Sequence, residues 1–65
     1  MNRIKELREE MNFSMAEVAK GLDIPYTTYV NYEKGVREPN FKKLIDIANF
    51  FNVSIDYLLG RTDKK

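Results

Sequence analysis

Residues 14–34 read SMAEVAKGLDIPYTTYVNYEK, and the arrangement of the whole domain can be worked out from them. Its two halves show helical rather than alternating apolar spacing, and the break between them falls at residues 22–25. Ser14 and Glu17 have the spacing of a capping box, in which each side chain accepts a hydrogen bond from the other residue's backbone amide. Pro25 opens the second half, because proline is favoured at a first helical position. The stretch therefore predicts two short helices joined by a tight turn.

Apolar residues also recur at helical spacing on both sides of this stretch, which adds three more helices. The predicted inward stripes are Ile4, Leu7 and Met11 in the first helix, and Phe41, Leu44, Ile47, Ala48 and Phe51 in the fourth. Asn40 and Ser54 are predicted N-caps of the fourth and fifth helices, and Gly60 ends the fifth. The sequence thus predicts an all-α domain of five helices over residues 1–60, followed by a disordered tail over residues 61–65.

Composition narrows the range of functions. The 65-residue chain has no cysteine and no histidine, and its formal net charge is +1. Disulfides, the usual zinc ligands and the usual nucleophiles are therefore excluded, and an enzyme would have to work with carboxylates and tyrosines alone. No apolar run is long enough to span a bilayer. We expect a cytoplasmic protein with no catalytic residue, metal, cofactor or small-molecule ligand, and with no membrane association.

Positive charge is concentrated in the middle of the chain. Residues 34–43 hold four basic side chains and one acidic side chain. The basic side chains are Lys34, Arg37, Lys42 and Lys43, and the acidic one is Glu38. Two interpretations of this patch stay open at this point. It is either ordinary solvated surface or a surface that faces an anionic partner.

Two short helices joined by a tight turn form the helix-turn-helix arrangement, and the residues around it resemble the Cro/C1-type (XRE-like) family of bacterial and phage regulators. The matching motifs are Ile4-Lys5-Glu6-Leu7-Arg8, Ser14-Met15-Ala16-Glu17-Val18-Ala19, Tyr32-Glu33-Lys34-Gly35 and Asp56-Tyr57-Leu58-Leu59. The resemblance covers residues 3–60, nearly the whole chain. It implies the lambda-repressor-like fold with a central helix-turn-helix, a bacterial or phage-encoded protein, and double-stranded DNA as the partner.

The resemblance assigns base readout in the major groove to the outward face of the third helix, at Tyr26, Thr27, Val30 and Asn31. Their spacing places these four residues on one stripe. The Asn31 amide can both donate to and accept from adenine, and Thr27 or Val30 can contact a thymine methyl. The alternative is a solvated helix face, but such a face would favour Glu, Lys and Gln over Thr, Tyr and Val.

Phosphate contacts are expected beside this stripe, at helix N-termini and basic side chains. The predicted phosphate set comprises Ser14, Met15, Lys34, Arg37, Asn40, Lys42 and Lys43. The family commonly has glutamine at the position of Met15, so this chain lacks that amide hydrogen bond. The resemblance also implies an ion pair between Arg8 and Glu33 that fastens the first helix to the third. The alternative is that both are merely exposed charges.

Tight binding by so small a domain would need two copies on a pseudo-palindromic site. The predicted dimer interface comprises Phe50, Ile55, Tyr57 and Leu58, with the alternative that these residues complete the core of one subunit. The expected function is that of a small homodimeric repressor that binds operator DNA. The alternative from another class is an antitoxin-like module that holds a protein partner with the same helices. Steep weakening of binding by salt would favour DNA.

Overall fold

The computed structural model describes residues 2–65, which form five α-helices joined by short connections and contain no strand. The helices are α1 (Ile4–Glu10), α2 (Met15–Gly21), α3 (Tyr26–Lys34), α4 (Phe41–Phe51) and α5 (Ile55–Leu58). The prediction of an all-α, five-helix fold is therefore confirmed.

Side-chain caps set the beginnings of three helices. Ser14 Oγ accepts a hydrogen bond from the Glu17 amide at 3.0 Å, and Glu17 Oε1 accepts one from the Ser14 amide at 2.7 Å, which completes the predicted capping box. Asn40 Oδ1 accepts from the Lys43 amide at 2.8 Å. Ser54 caps α5 in the same way. These bonds satisfy amides that have no partner within their own helix.

The connections depend on residues with left-handed backbone conformations. Asn12, Asp23 and Asn52 have φ values of 59°, 58° and 58°. Asparagine and aspartate tolerate this region better than other side chains, because their short polar groups can bond locally. Pro25 corrects one detail of the prediction, because it is the N-cap of α3 and not its first helical residue. Its ψ of 144° is extended, so the helix begins at Tyr26.

The core lies where α1, α2 and α3 meet, and α4 and α5 close it. Its buried apolar residues are Ile4, Leu7, Val18, Ala19, Leu22, Tyr29, Tyr32, Ile47, Ala48, Phe51, Tyr57 and Leu58. Burial of Tyr29 and Tyr32 explains why α3 is helical although it is rich in Thr, Tyr and Val, which are weak helix formers. Packing of one face, rather than intrinsic propensity, holds such a helix.

Two residues of the predicted apolar stripes are exposed. Met11 is 44% exposed and Phe41 is 70% exposed. Met11 follows the last residue of α1 as its C-cap, so it lies beyond the packed turns of that helix. Phe41 is the first residue of α4. Because side chains on a helix lean toward its N-terminus, a side chain at the first position projects past the packed part of the helix.

The tail over residues 61–65, for which the sequence predicts disorder, lies against α1 and α5. Its contacts are hydrogen bonds from the Ser54 amide to the Lys65 carbonyl oxygen (2.8 Å), from Arg3 Nη2 to Asp63 Oδ1 (2.9 Å) and from Lys65 Nζ to Glu10 Oε1 (3.3 Å). The partners are far apart in the sequence, so local composition gives no sign of them.

Candidate nucleic-acid interface

The packing of α2 against α3 builds the platform of the candidate site. Ala19 is 3% exposed at this crossing, and its methyl group is small enough for the two helices to approach closely. The Ile24 amide donates to the Ala19 carbonyl oxygen at 3.0 Å, which holds the turn to α2. Leu22 and Tyr29 fill the space between the helices from either side of the turn. The orientation of α3 relative to α2 is therefore fixed by buried contacts.

A forked ion pair anchors the other end of α3. Arg8 Nε donates to Glu33 Oε2 at 2.6 Å and Arg8 Nη2 donates to Glu33 Oε1 at 3.3 Å. The third guanidinium nitrogen, Nη1, donates to the Phe13 carbonyl oxygen at 2.9 Å. The two side chains are only 13% and 6% exposed. The hydrogen bonds with Glu33 raise the pKa of Arg8 above its usual value, so the guanidinium stays charged.

The outward face of α3 is only partly covered by the rest of the described chain. Tyr26 is 53% exposed, Thr27 is exposed, and Val30 and Asn31 are half-buried. Within residues 2–65, no hydrogen bond engages the side chain of Thr27 or Asn31. The four residues thus form one surface with unused hydrogen-bonding groups. We call Tyr26, Thr27, Val30 and Asn31 the recognition face.

Basic side chains lie directly beyond the end of the recognition face. Lys34, Arg37 and Lys42 are exposed. The Arg37 amide donates to the Asn31 carbonyl oxygen at 3.3 Å, which holds the loop after α3 close to the recognition face. Lys43 is half-buried, and its Nζ lies 4.0 Å from Asp46 Oδ2. Three of the four predicted basic contacts are therefore open to solvent, and the fourth lies beside a carboxylate.

At the start of α2, the predicted phosphate contact Ser14 is already engaged through its backbone amide. The Ser14 amide is engaged by the Glu17 carboxylate and the Ser14 hydroxyl is engaged by the Glu17 amide, so the backbone amide of Ser14 is not free to bind an anion. The Glu17 carboxylate also places a negative charge at the helix end where a phosphate would lie. Met15 is half-buried and packs against the core. At the start of α4, the Asn40 side chain accepts from the Lys43 amide. The backbone amides of Phe41 and Lys42 are not engaged by this cap.

The predicted dimer residues separate into two groups. Tyr57 is 7% exposed and Leu58 is 0% exposed, so both belong to the core of the subunit and offer almost no surface to a partner. Phe50 and Ile55 are half-buried. The Phe50 ring also packs inside the subunit, with its centroid 5.7 Å from that of Phe13. Phe50 and Ile55 are therefore the predicted interface residues that keep some exposed surface, and both also pack against the core.

These features define a class of protein. Two short packed helices, of which the second presents an unengaged polar and apolar face beside basic side chains, are typical of a helix-turn-helix DNA-binding domain. Among residues 2–65, no group of acidic side chains is arranged to hold a metal ion, and no helix has the length and apolar character that crossing a membrane requires. A helix-turn-helix family model matches residues 4–58, and the chain belongs to this Cro/C1-type family of transcriptional regulators, which are not enzymes.

Similar proteins carry regulator names. The chain is 38% identical over 61 residues to the HTH-type transcriptional regulator ImmR of Bacillus subtilis, with 94% of this chain and 48% of ImmR covered. It is 38% identical over 65 residues to AnsR of the same organism, with all of this chain and 56% of AnsR covered. It is 32% identical over 62 residues to the cryptic phage CTXphi transcriptional repressor RstR of Vibrio cholerae, with 95% of this chain and 56% of RstR covered.

A solved structure has the same fold. The crystal structure of a transcriptional regulator from Listeria innocua superposes with a TM-score of 0.84 at 28% sequence identity, and the match covers 97% of this chain and 59% of that one. The chain thus spans about half the length of the curated relatives that it matches.

Proposed function

We propose that this chain binds a specific sequence of double-stranded DNA by placing α3 in the major groove. The observation that carries the proposal is the recognition face, where Tyr26 and Thr27 are exposed and where no side-chain hydrogen bond within residues 2–65 engages Thr27 or Asn31. Its chemistry fits base edges. The Asn31 amide matches the acceptor and donor of adenine, and Thr27 and Val30 bring methyl groups that suit thymine. Tyr26, the first residue of α3, contacts a base or a phosphate in this proposal.

We infer that phosphates are held by the basic side chains around the recognition face, namely Lys34, Arg37, Lys42 and Lys43. Phosphate contacts supply most of the affinity and fix the position of the domain on the duplex, whereas base contacts supply specificity. The unused amides at the start of α4 add donors beside Lys42. Met15 contributes van der Waals contact with the sugar-phosphate backbone in place of a hydrogen bond. The Ser14 amide is occupied, but its hydroxyl only accepts in the capping box and keeps a proton to donate, so Ser14 stays in the proposed set through its hydroxyl.

We infer further that two copies bind a pseudo-palindromic operator and repress transcription by covering it. Consecutive half-sites on one side of the duplex lie about 34 Å apart, and the longest dimension of the subunit is 28 Å. Because 28 Å is less than about 34 Å, two such subunits meet across the dyad only through side chains at the ends of their longest dimension, and Ile55 is the proposed contact. The repressor assignment draws on the similarity to RstR, a phage repressor by name.

The alternative is a protein partner bound by the same helices. The exposure of Val36 (74%) and Phe41 (70%) beside the basic loop favours it, because apolar side chains there suit a protein surface better than phosphates. Salt distinguishes the two functions. Binding to DNA through several phosphates weakens steeply as salt increases, whereas binding to an apolar protein surface does not.

Selection of duplexes from a random pool by the full chain tests the proposal. We expect enrichment of an inverted repeat whose half-site centres are about one helical turn apart, with adenine or thymine at the position that Asn31 and Val30 contact. A pool that remains random after repeated selection would exclude sequence-specific DNA binding. Enrichment of a single unpaired half-site would support DNA recognition and exclude the symmetric dimer.

A further inference from the structure

The recognition face carries no ionised side chain. From Tyr26 to Tyr32, α3 contains no lysine, arginine, aspartate or glutamate. Its first charged residue is Glu33, which is held in the fork with Arg8, and its second is Lys34, the last residue of the helix. In a helix-turn-helix domain, the N-terminal part of the second helix contacts the base edges. Neutral side chains therefore meet the bases on the proposed function.

The polar groups of the recognition face are not restricted to one hydrogen-bonding role. The hydroxyls of Tyr26 and Thr27 can each donate and accept, and the Asn31 amide has one group of each kind. An arginine fork would select the two acceptors of guanine, and a carboxylate would select the amino group of cytosine, but residues 26–32 contain neither. The Thr27 hydroxyl can thus bond either the O4 acceptor of thymine or the N4 donor of cytosine.

Methyl groups provide the discrimination that this hydroxyl lacks. Thr27 and Val30 lie three residues apart on α3, so their side chains are neighbours on one side of the helix. Thr27 is exposed, and half-buried Val30 keeps part of its surface accessible. The C5 methyl group of thymine projects into the major groove, where it can bury apolar surface against both side chains. The same methyl group distinguishes 5-methylcytosine from cytosine.

We propose that Thr27 and Val30 recognise the C5 methyl group of a pyrimidine, so that the domain responds to cytosine methylation within its binding site. This inference rests on the proposed function and identifies the preferred substrate as duplex DNA with a C5-methylated pyrimidine at the base these residues contact. The methyl group adds affinity at that base whether it belongs to thymine or to cytosine. Uracil and unmethylated cytosine lack this contribution.

Competition binding by the wild-type chain measures the methyl effect without a change in base pairing. The probe is the duplex enriched from the random pool, with one pyrimidine position at a time made thymine or uracil opposite adenine, and cytosine or 5-methylcytosine opposite guanine. At the position that faces Thr27 and Val30, we expect loss of the methyl group to lower affinity roughly threefold to fivefold within each pair. Equal affinity within either pair at every position overturns the inference.

Two substitutions assign the methyl effect to its residues. Thr27→Ser removes a methyl group and keeps the hydroxyl, and Val30→Ala removes two methyl groups. Each should diminish the affinity difference within both pairs, whereas the control Thr28→Ser should leave it unchanged, because Thr28 lies outside the recognition face. The effect is a ratio of affinities of one protein for two duplexes, so a change in the folded fraction cancels. A methyl effect retained in full by both variants, or lost equally in the control, overturns the inference.

The enrichment step separates failure of this inference from failure of the proposed function. If the wild type enriches a sequence but binds its methylated and unmethylated forms equally, sequence-specific DNA recognition stands and the methyl inference is excluded. If the pool remains random, the proposed function fails, and the methyl inference fails with it.

Discussion

Arg8 and Glu33 form a two-pronged contact that joins α1 to the last turn of α3, with Nε and Oε2 2.6 Å apart. Both side chains are largely buried, so each would be left with an unpaired charge if its partner were removed. The fork therefore positions the end of α3 from which the chain continues into the basic loop.

Removal of either member of this fork is expected to destabilise the fold strongly. Arg8→Met or Glu33→Leu alone should lower the free energy of unfolding by about 3 kcal/mol, because a buried charge loses its partner. The double variant should recover most of this loss, since two apolar side chains of similar volume replace the pair. Urea denaturation of all four proteins measures the coupling. Losses that simply add in the double variant would show that the two side chains act independently.

The buried hydroxyl of Tyr29 makes a prediction about pH. This hydroxyl has no hydrogen-bond partner within residues 2–65. Burial and then the neighbouring Glu33 carboxylate raise the pKa of Tyr29 far above its ordinary value. The unfolded chain thus releases this proton above pH about 10 while the folded chain keeps it, and stability falls by up to about 1.4 kcal/mol per pH unit.

Tyr29→Phe is expected to remove this alkaline loss and to leave stability at neutral pH unchanged or slightly higher, because an unpaired buried polar group is removed. Thermal unfolding between pH 7 and pH 11 measures both effects. Tyr26→Phe is the matched control, since Tyr26 is 53% exposed and lies on the same helix. A loss of stability in Tyr29→Phe at neutral pH would show that the hydroxyl has a favourable contact.

Replacement of Asn31 tests base readout. Asn31→Ala should reduce discrimination at one base pair by about 1–3 kcal/mol and leave the preferences at other positions unchanged. Competition binding with single-base variants of the selected duplex measures this. Asn49→Ala serves as the control, because Asn49 is an exposed asparagine on α4 outside the recognition face. An equal loss on every duplex would assign Asn31 to positioning rather than to readout.

Replacement of the lysines at the start of α4 tests phosphate binding. Lys42→Ala should weaken binding to all duplexes alike and reduce the slope of log K against log salt by about 1. Lys43→Ala should have a smaller effect, because Asp46 already lies 4.0 Å from this ammonium group. Lys5→Ala, on the exposed side of α1, provides the control. If Lys42→Ala left the salt slope at its wild-type value, Lys42 would be outside the phosphate set.

The proposed dimer contact is tested at Ile55 rather than at Tyr57, because Tyr57→Asp would place a charge in the core of the subunit. Ile55→Asp should raise the dimer dissociation constant by about tenfold or more, since a charge replaces an apolar contact. Ile45→Asp makes the same substitution on α4, where the side chain is 36% exposed. Sedimentation of both variants compares the two surfaces. A greater effect of Ile45→Asp would move the interface to α4.

Local signals explain why so much of this fold was predictable. The capping residues Ser14, Asn40 and Ser54 act within three residues of themselves, so their spacing in the sequence contains the whole interaction. The apolar periodicity of α4 depends in the same way on neighbours along the chain. The recognition face could be predicted because Tyr29 and Tyr32 were assigned to the core. The remaining residues of α3 were then expected to face outward.

Long-range contacts explain most of what was not predictable. The tail meets Arg3 and Glu10, which lie 60 and 55 residues away from their partners in the sequence. Arg3 and Lys65 also lie over the Tyr57 ring, so the sequence alone could not separate a place in the core from a place in an interface for this residue. The engagement of the Ser14 amide, in contrast, could be predicted from the sequence, because a capping box places the Glu17 carboxylate on that amide. The Glu17 carboxylate itself occupies the place of an anion at the N-terminus of α2.

α3 is fastened at its first turn by the packed connection from α2 and at its last turn by the fork from Arg8. Thr27 and Asn31 lie between these attachments and take no part in either. Exchange of these outward side chains therefore leaves the scaffold intact. On the proposed function, the DNA sequence that the domain prefers can change while its thermodynamic stability does not. A lineage of such proteins can diverge in which genes it governs through a handful of replacements, and an engineer can reprogramme it by the same route.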